Sequence, residues 1–439
     1  MDFAHEPGAA GERFPWEILG GGAAVVDTDH DGDLDLYLVQ GGSSGDRLYR
    51  NDTEPGEPFR FTDVTEDAGL PALPQVPGYQ GMGVAVGDVD GDGDPDLYVT
   101  AHGPDRLLVN RGDGTFQDRT EASGLDLPTW STAATFFDAD GDGDLDLFVA
   151  GYVKASVDDP QRCFSETGHP DYCGPLAYPA ESDRLFLNRG DGTFEDTTTR
   201  AGLDAVEPAP ALGVVAVDLT GDGLPDLYVA NDQTPNHFWV NRGEGIFEEQ
   251  AILAGCAVSG EGQPEAGMGV DAADLDGDGD LDLILTHLDG ETDTVYENLG
   301  GGLFTDSTAK TGLGPPGLAF TSFGVRAVDL DLDGHVDLPV VSGAIREIDA
   351  QRRAGSPLPL AQPARTFRNL GGGRFVETTP DWAPALADPR VSRGLAVGDL
   401  DFVDRVQIFN WANGGVHSLR PFRDPAPGKT RFTDTAPDR

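Results

Sequence analysis

Apolar residues in this chain come in short runs, each cut off by a cluster of Gly and Asp. One repeat shows the order: a small-residue run (Gly83-Val84-Ala85-Val86), an acidic loop, then Leu97-Tyr98-Val99. A third run ends in Asn (Arg106-Leu107-Leu108-Val109-Asn110). A Gly-rich turn (Arg111-Gly112-Asp113-Gly114-Thr115) and a last run, Phe116-Gln117-Asp118-Arg119-Thr120, complete it. Short β-type runs bounded by turn residues predict strands, here named A to D, in an antiparallel meander. Helical periodicity is nearly absent, and no run of about 18 apolar residues predicts a membrane-spanning helix.

The acidic A–B loops begin at Asp27, Asp88, Asp138, Asp218, Asp274 and Asp329, with a degraded one at Asp399. Units of this size cannot bury a core alone, so they must pack on one another. A radial arrangement leaves only short, protected edges. The expectation is therefore an all-β, seven-bladed β-propeller of four-stranded antiparallel blades, with Asp-rich calcium loops in the A–B hairpins. It forms one domain over residues 1–439, with blades starting near 23, 83, 133, 213, 269, 324 and 394. The seventh unit is faint, but its last run, Phe432-Thr433-Asp434-Thr435, matches Phe61-Thr62-Asp63-Val64-Thr65 of the first. Residues 151–183 form an insertion between strands B and C of the third unit, too short for a core of its own.

The loops carry the clearest chemistry. Carboxylates at positions 1, 3, 5 and 9 repel one another unless a cation joins them. Calcium takes six to eight oxygens, some from backbone carbonyls. Loop one offers Asp27, Asp29, Asp31 and Asp35; loop two Asp88, Asp90, Asp92 and Asp96; loop three Asp138, Asp140, Asp142 and Asp146. Loop four offers Asp218, Asp222 and Asp226, with Thr220 at position 3. Loop five offers Asp274, Asp276, Asp278 and Asp282, and loop six Asp329, Asp331, Asp333 and Asp337. Position 6 is always Gly. Position 7 varies among Asp33, Asp94, Asp144, Leu224, Asp280 and His335, as expected of a ligand acting through its backbone carbonyl. No glutamate follows at position 12 and no helices flank the loops, which excludes an EF-hand. About six calcium sites are expected, the fourth weakened by Thr220, and none in the seventh loop, where Phe402 and Val403 replace ligand and glycine.

Charge narrows the partners. Asp and Glu number 77 against 29 Lys and Arg, a net charge of −48. Six calcium ions would leave −48 + 12 = −36, which still excludes nucleic acid and anionic membranes as partners. Among three cysteines, Cys163 and Cys173 lie inside the insertion and can pair, leaving Cys256. Met1-Asp2-Phe3 opens without the basic and apolar regions of a signal peptide.

The Asp-rich loops with Asn-Arg-Gly-Asp-Gly-Thr-Phe (110–116 and 188–194) resemble FG-GAP repeats of integrin α-subunit propellers. Phe61-Thr62-Asp63-Val64-Thr65-Glu66-Asp67-Ala68-Gly69-Leu70, Gly81–Asp88, Tyr228–Asn236 and Ser392–Asp399 resemble the cartilage acidic protein family more closely. That resemblance implies a seven-bladed calcium propeller, often exported to the cell surface or matrix, and often followed by an ASPIC/UnbV domain. No such domain is expected before the last residue given, Arg439. The two Arg-Gly-Asp tripeptides (111–113 and 189–191) occupy C–D turns where Asn-Leu-Gly-Gly-Gly also occurs, so turn chemistry accounts for them.

Meander parity places A–B loops and C–D turns on one face, and B–C and D–A connections on the other. The second face receives the insertion and irregular polar residues: Gln80, His102, Trp130, Asp232, His237, Glu265, His287, Asp289 and Arg393. Two functions are open. One is a monomeric calcium-binding module for adhesion or for binding a protein, a glycan or a small molecule. The other is a calcium-dependent enzyme, a lyase or cyclase, with its pocket at the channel mouth on the face opposite the calcium loops. Asp232, Glu265 and His287 would then do the acid–base work.

Overall fold

Strand B is apolar on both sides because it is sandwiched between neighbouring blades, so its residues show no alternation. Asp96–His102, for example, is buried along its whole length. In the computed structural model of the chain, residues 5, 12–41, 45–54, 57, 59–165, 167–356 and 359–398 are described, Pro380 by its backbone. Beyond 398, the backbone alone is described for Gln407–Ala412, Gly415–Arg423 and Thr430–Asp434.

The architecture is a propeller of four-stranded antiparallel blades, each paired in chain order from A to D. Blade 1 is Ala23–Val26, Asp35–Leu38, Arg47–Asn51 and Phe61–Asp63; blade 2 is Gln80–Gly87, Asp96–His102, Arg106–Asn110 and Phe116–Asp118. Blade 3 is Ser131–Phe137, Asp146–Gly151, Arg184–Asn188 and Phe194–Asp196. Blade 4 is Ala211–Val217, Asp226–Asn231, His237–Asn241 and Phe247–Glu249. Blade 5 is Val270–Ala273, Asp282–Leu285, Thr294–Asn298 and Phe304–Asp306. Blade 6 is Ser322–Val325, Leu338–Ser342, Arg365–Asn369 and Phe375–Glu377.

These six blades are complete in side chains as well as backbone, so the expected count of seven is met in full detail only for six. The remaining sheet joins Ser392–Gly398 to Gln407–Ala412, Gly415–Arg423 and Thr430–Asp434 by backbone pairing. The seventh acidic loop, with Asp399, Phe402 and Val403, lies outside the described residues.

The core lies between blades rather than inside them. Tyr98 and Leu107 of blade 2 pack with Leu147, Val149 and Phe186 of blade 3, and the next interfaces repeat this. Near the axis the A strands crowd. A Cβ on Gly269 would stand 2.1 Å from the Phe323 carbonyl oxygen, which is why small residues occupy these runs.

Short helices are present despite the absence of helical periodicity. After strand D, four-residue helices such as Thr120–Ser123, Thr198–Ala201 and Thr308–Thr311 begin the D–A connection. One turn is too short to show a 3.6-residue repeat. The hydroxyls of Thr120, Thr198 and Thr308 accept the Leu107, Leu185 and Val295 amides, fastening each turn to strand C. The insertion folds as a small hairpin, Cys163–Phe164 with Pro170–Asp171, spanned by a Cys163–Cys173 disulfide.

Candidate metal loops and the opposite face

Within each A–B loop the carboxylates divide the labour by position. In loop two, position 1 organises the turn: Asp88 Oδ1 accepts the Gly91 and Asp92 amides and Oδ2 the Gly93 amide. Asp92 at position 5 accepts the Asp94 amide through Oδ1. Asp90 at position 3 keeps Oδ1 buried without a hydrogen-bond partner. Loops three and five repeat the position-1 pattern through Asp138 and Asp274.

Carboxylate oxygens converge within 4.8 Å of one another in five loops. The groups are Asp27/Asp29/Asp31, Asp88/Asp90/Asp96, Asp138/Asp140/Asp146, Asp274/Asp276/Asp282 and Asp329/Asp331/Asp333. Asp27, Asp29, Asp90 and Asp331 each bury an unpartnered Oδ1. Burial first, and neighbouring carboxylates second, raise the pKa of Asp29, Asp90 and Asp140, and of Asp276 in loop five. Buried acceptors with no donor, gathered beside like charges, fit a hard divalent cation held by oxygen. Loop four, where Thr220 supplies only a hydroxyl at position 3, is not among these groups.

Position 9 does something the sequence did not reveal. Asp96 is fully buried; its Oδ2 accepts the Val89 amide and its Oδ1 the Asn110 amide, tying the loop to the end of strand C. Asp146, Asp226, Asp282 and Asp337 make the equivalent bonds to Asn188, Asn241, Asn298 and Asn369. Burial lifts Asp96, Asp146 and Asp337 to about 7, and Asp35 and Asp282 to about 6.

The Asn then reaches across to the preceding blade. Asn110 Nδ2 donates to the Thr28 carbonyl at 2.9 Å, Asn188 to Val89 at 2.7 Å and Asn241 to Ala139 at 3.0 Å. Asn298 and Asn369 reach Leu219 and Leu275 in the same way. Each loop is thus stapled to the next blade. The recurrent Asn closing strand C was the available signal.

Position 7 faces the C–D turn of its own blade: a Cβ on Gly112 would meet Asp94, and one on Gly371 would meet His335. The following blade's turn covers position 3, since a Cβ on Gly192 would meet Asp90. Loops and turns therefore share a face, and both Arg-Gly-Asp tripeptides serve as turns there. The Asp of each, Asp113 or Asp191, caps its own turn by accepting the Thr115 or Thr193 amide.

On the other face the segment Phe14–Leu19 lies over the mouth of the central channel. Trp16 stacks on Phe14 and on His102, with ring centroids 4.4 and 3.9 Å apart, and meets Trp130 edge-on. Burial lowers the His102 pKa. Arg393 is buried beneath this segment, donating to the Ile18, Gly343, Ser392 and Ala344 carbonyls, its guanidinium 4.0 Å from the Phe323 ring centre. Burial pulls its pKa down to about 9. Below lies a channel cavity of about 230 Å³ walled by the A strands, whose charged lining among the described residues is Arg326 and Arg393.

The structure brings together two of the three proposed acid–base residues. Glu265 Oε2 lies 3.8 Å from His287 Nε2 and accepts the Thr294 hydroxyl at 3.1 Å. Burial lifts Glu265 to about 7 and lowers His287 to about 4; the His287 side chain is 1 % exposed. Asp232 stands apart, held by the Tyr152 hydroxyl of the insertion at 2.7 Å and raised to about 7 by burial. None of the three lines the channel cavity. His237 belongs to a separate cleft of about 770 Å³ with Arg184, Trp239 and Glu207. Gln80 is buried, and Asp289 accepts the Thr321 hydroxyl.

A ring of meanders, each with an Asp-rich A–B loop, defines a β-propeller of repeated acidic hairpins. The FG-GAP-like repeat model matches residues 27–99, 88–149, 166–229, 218–285 and 274–340, more than half of the chain, which therefore belongs to that family. It is 26% identical to human (Homo sapiens) cartilage acidic protein 1 over 284 residues, 61% of this chain and 39% of that protein. The Mus musculus protein of the same name is 25% identical over the same length, 61% of this chain and 40% of its own. The chain thus spans about two-fifths of the curated relatives it matches. Among solved structures, BP39L lectin from Burkholderia pseudomallei shares the fold at a TM-score of 0.51 and 13% identity, covering 95% of this chain and 100% of that one.

Proposed function

We propose that the chain is a calcium-braced, seven-bladed propeller that works as a binding or adhesion module for a protein or glycan. The calcium part rests on the unpartnered, buried position-3 oxygens of Asp29 and Asp90 among converging carboxylates. The carboxylates at positions 1, 3 and 5, the position-7 carbonyl and the position-9 carboxylate would hold each ion. Its contribution is to cancel the loop's repulsion so that the blade edge closes.

The binding part rests on the insertion face. The segment Phe14–Leu19 covers the channel mouth, while the disulfide-braced insertion presents Phe164 and Leu176 at 63% and 66% exposure. Large apolar side chains held out on a cross-linked loop suit a docking surface. A Cys163–Cys173 bridge also suits an oxidising compartment, which fits a secreted or surface protein.

The test is capture on a glycan array and on immobilised matrix proteins, with wild type and the Phe164→Ser/Leu176→Ser variant. Capture by the wild type that disappears in the variant, at unchanged melting temperature, is the expected result. Capture indifferent to both substitutions would overturn the placement of the surface. A second reading, a calcium-dependent lyase or cyclase, has one observation in its favour: Glu265, near neutrality, beside His287. Enclosure of His287 argues against it, because acid–base work needs contact with substrate.

A further inference from the structure

Resting on the calcium reading of the other loops, we propose that loop six carries its counter-ion within the chain: the Arg368 guanidinium takes the place of calcium there. Arg368 Nη2 lies 2.8 Å from Asp331 Oδ2 and 2.6 Å from Asp333 Oδ2, bridging positions 3 and 5 of the loop. The Trp382 ring lies alongside, 5.7 Å from the guanidinium carbon. The Asp331 side chain is 7% exposed, whereas Asp333 at 28% and Arg368 at 34% stand at the rim, so the guanidinium reaches from the loop's edge onto an enclosed carboxylate.

Register explains why loop six is filled in this way and the other described loops are not. Arg368 immediately precedes the stapling Asn369, and the same place holds Val109, Leu187 and Val240 in blades 2, 3 and 4. Those apolar side chains bring no guanidinium to positions 3 and 5 of their loops. In blade 5 the place holds Glu297, which pairs outward with Lys310 at 3.1 Å.

Blade 1 supplies the decisive contrast. It too has an arginine there, Arg50, but the residue after Asn51 is Asp52, which draws the Arg50 Nε to 2.9 Å. The equivalent residue in blade 6 is Leu370, 57% exposed and without a carboxylate. Leu370 offers Arg368 no competing anion, so the guanidinium turns into the loop. One amino group of the guanidinium, Nη2, meets both carboxylates, a charge-assisted contact at each. Calcium must displace it to bind, which lowers the affinity of loop six relative to loops two, three and five.

Calcium bound per chain, measured by elemental mass spectrometry after equilibrium dialysis, tests this. Arg368→Val imports the side chain of blades 2 and 4; Leu370→Asp imports the restraint of blade 1 at an exposed position and leaves the core untouched. Each variant should bind one ion more than wild type at the same free calcium. Equal counts in wild type and both variants, with calcium present on the wild type, would overturn the proposal alone. A wild type that binds no calcium overturns the calcium reading, and this proposal falls with it.

Discussion

The two faces of the propeller are built by different rules. On the loop face, one set of bonds recurs from blade to blade: position 1 to the turn amides, position 9 to the strand-C Asn, and that Asn to the blade before. On the opposite face the recurring contacts are confined to the strand ends, where Asp46, Asp105, Asp183 and Asp293 accept amides at the end of strand B and the Thr120, Thr198 and Thr308 hydroxyls hold strand C; what lies beyond them differs from blade to blade. One blade there has a disulfide-bridged insertion, another a Glu–His pair, and a third an arginine clasped by four carbonyls. Repetition belongs to what every blade needs in order to pack; irregularity is tolerated only where packing is already secured. On the function proposed above, folding belongs to the first face and recognition to the second, and that division can be broken at either.

The largest effect should come from the loop face. A ligand at about 100 times its dissociation constant stabilises by about 2.7 kcal/mol per site. Emptying even two loops thus costs about 5 kcal/mol, comparable with the whole stability of many domains. A chelator should lower the melting temperature by about 10 °C or more, and added calcium should restore it. An unchanged melting temperature would remove the metal from the account.

Next is a test of the irregular face by pH. Glu265 is raised from 4.5 to about 7 by burial, so the folded state keeps a proton that the unfolded chain releases above 4.5. Its contribution therefore falls as pH rises from about 4.5 to 7 and is flat beyond. Glu265→Gln stays neutral throughout and can still accept the Thr294 hydroxyl. Relative to wild type it should gain about 3 kcal/mol by pH 8 and nothing near pH 4, read by urea unfolding across pH. His287, lowered to about 4, changes stability in the opposite direction between 4 and 6.5, and does so in both proteins. A constant difference across pH would mean that Glu265 is not buried as described.

A smaller loss is expected at the staple. Asn188→Ala removes the donor to the Val89 and Leu145 carbonyls and the acceptor for the Gly190 amide. Leaving such groups unpaired costs about 2 kcal/mol. If Asn188→Ala costs no more than Asp191→Ala, an exposed turn substitution, the inter-blade bond contributes nothing.

The loop face was the more legible in sequence, for a physical reason. Its chemistry lies in spacing within a few residues: Asp at 1, 3, 5 and 9 with Gly at 6 marks a carboxylate loop inside one short stretch of chain. What stayed hidden spans blades. Asn110 and Thr28 are 82 residues apart, and the local pattern shows a terminal Asn without its acceptor. Position 9 looked like one more ligand; only burial shows it also clamping strand C. On the irregular face, the polar positions were found but their partners were not. Asp232 pairs with Tyr152 from the insertion instead of joining Glu265 and His287. Trp16, which covers the channel, gave no signal because its neighbours repeat nowhere else.

The smallest expected change in global stability separates the two faces most cleanly. Cys163 and Cys173 close a loop of sequence separation 10 that holds its own two-stranded hairpin. A bridge over so short a span is worth about 3 kcal/mol in chain entropy. That constraint acts on the insertion, whereas the blades are held by inter-blade packing and the loop-face bonds. Cys163→Ser/Cys173→Ser should therefore shift the melting temperature by less than about 1 °C while the insertion opens locally. Trypsin reads the local opening at Arg162, an exposed residue beside the bridge. Cleavage there should accelerate by about two orders of magnitude, the factor that 3 kcal/mol represents, with the blades resisting as before. A fall in melting temperature as large as that of Asn188→Ala would show instead that the insertion braces the ring, and recognition and folding would no longer divide between the faces.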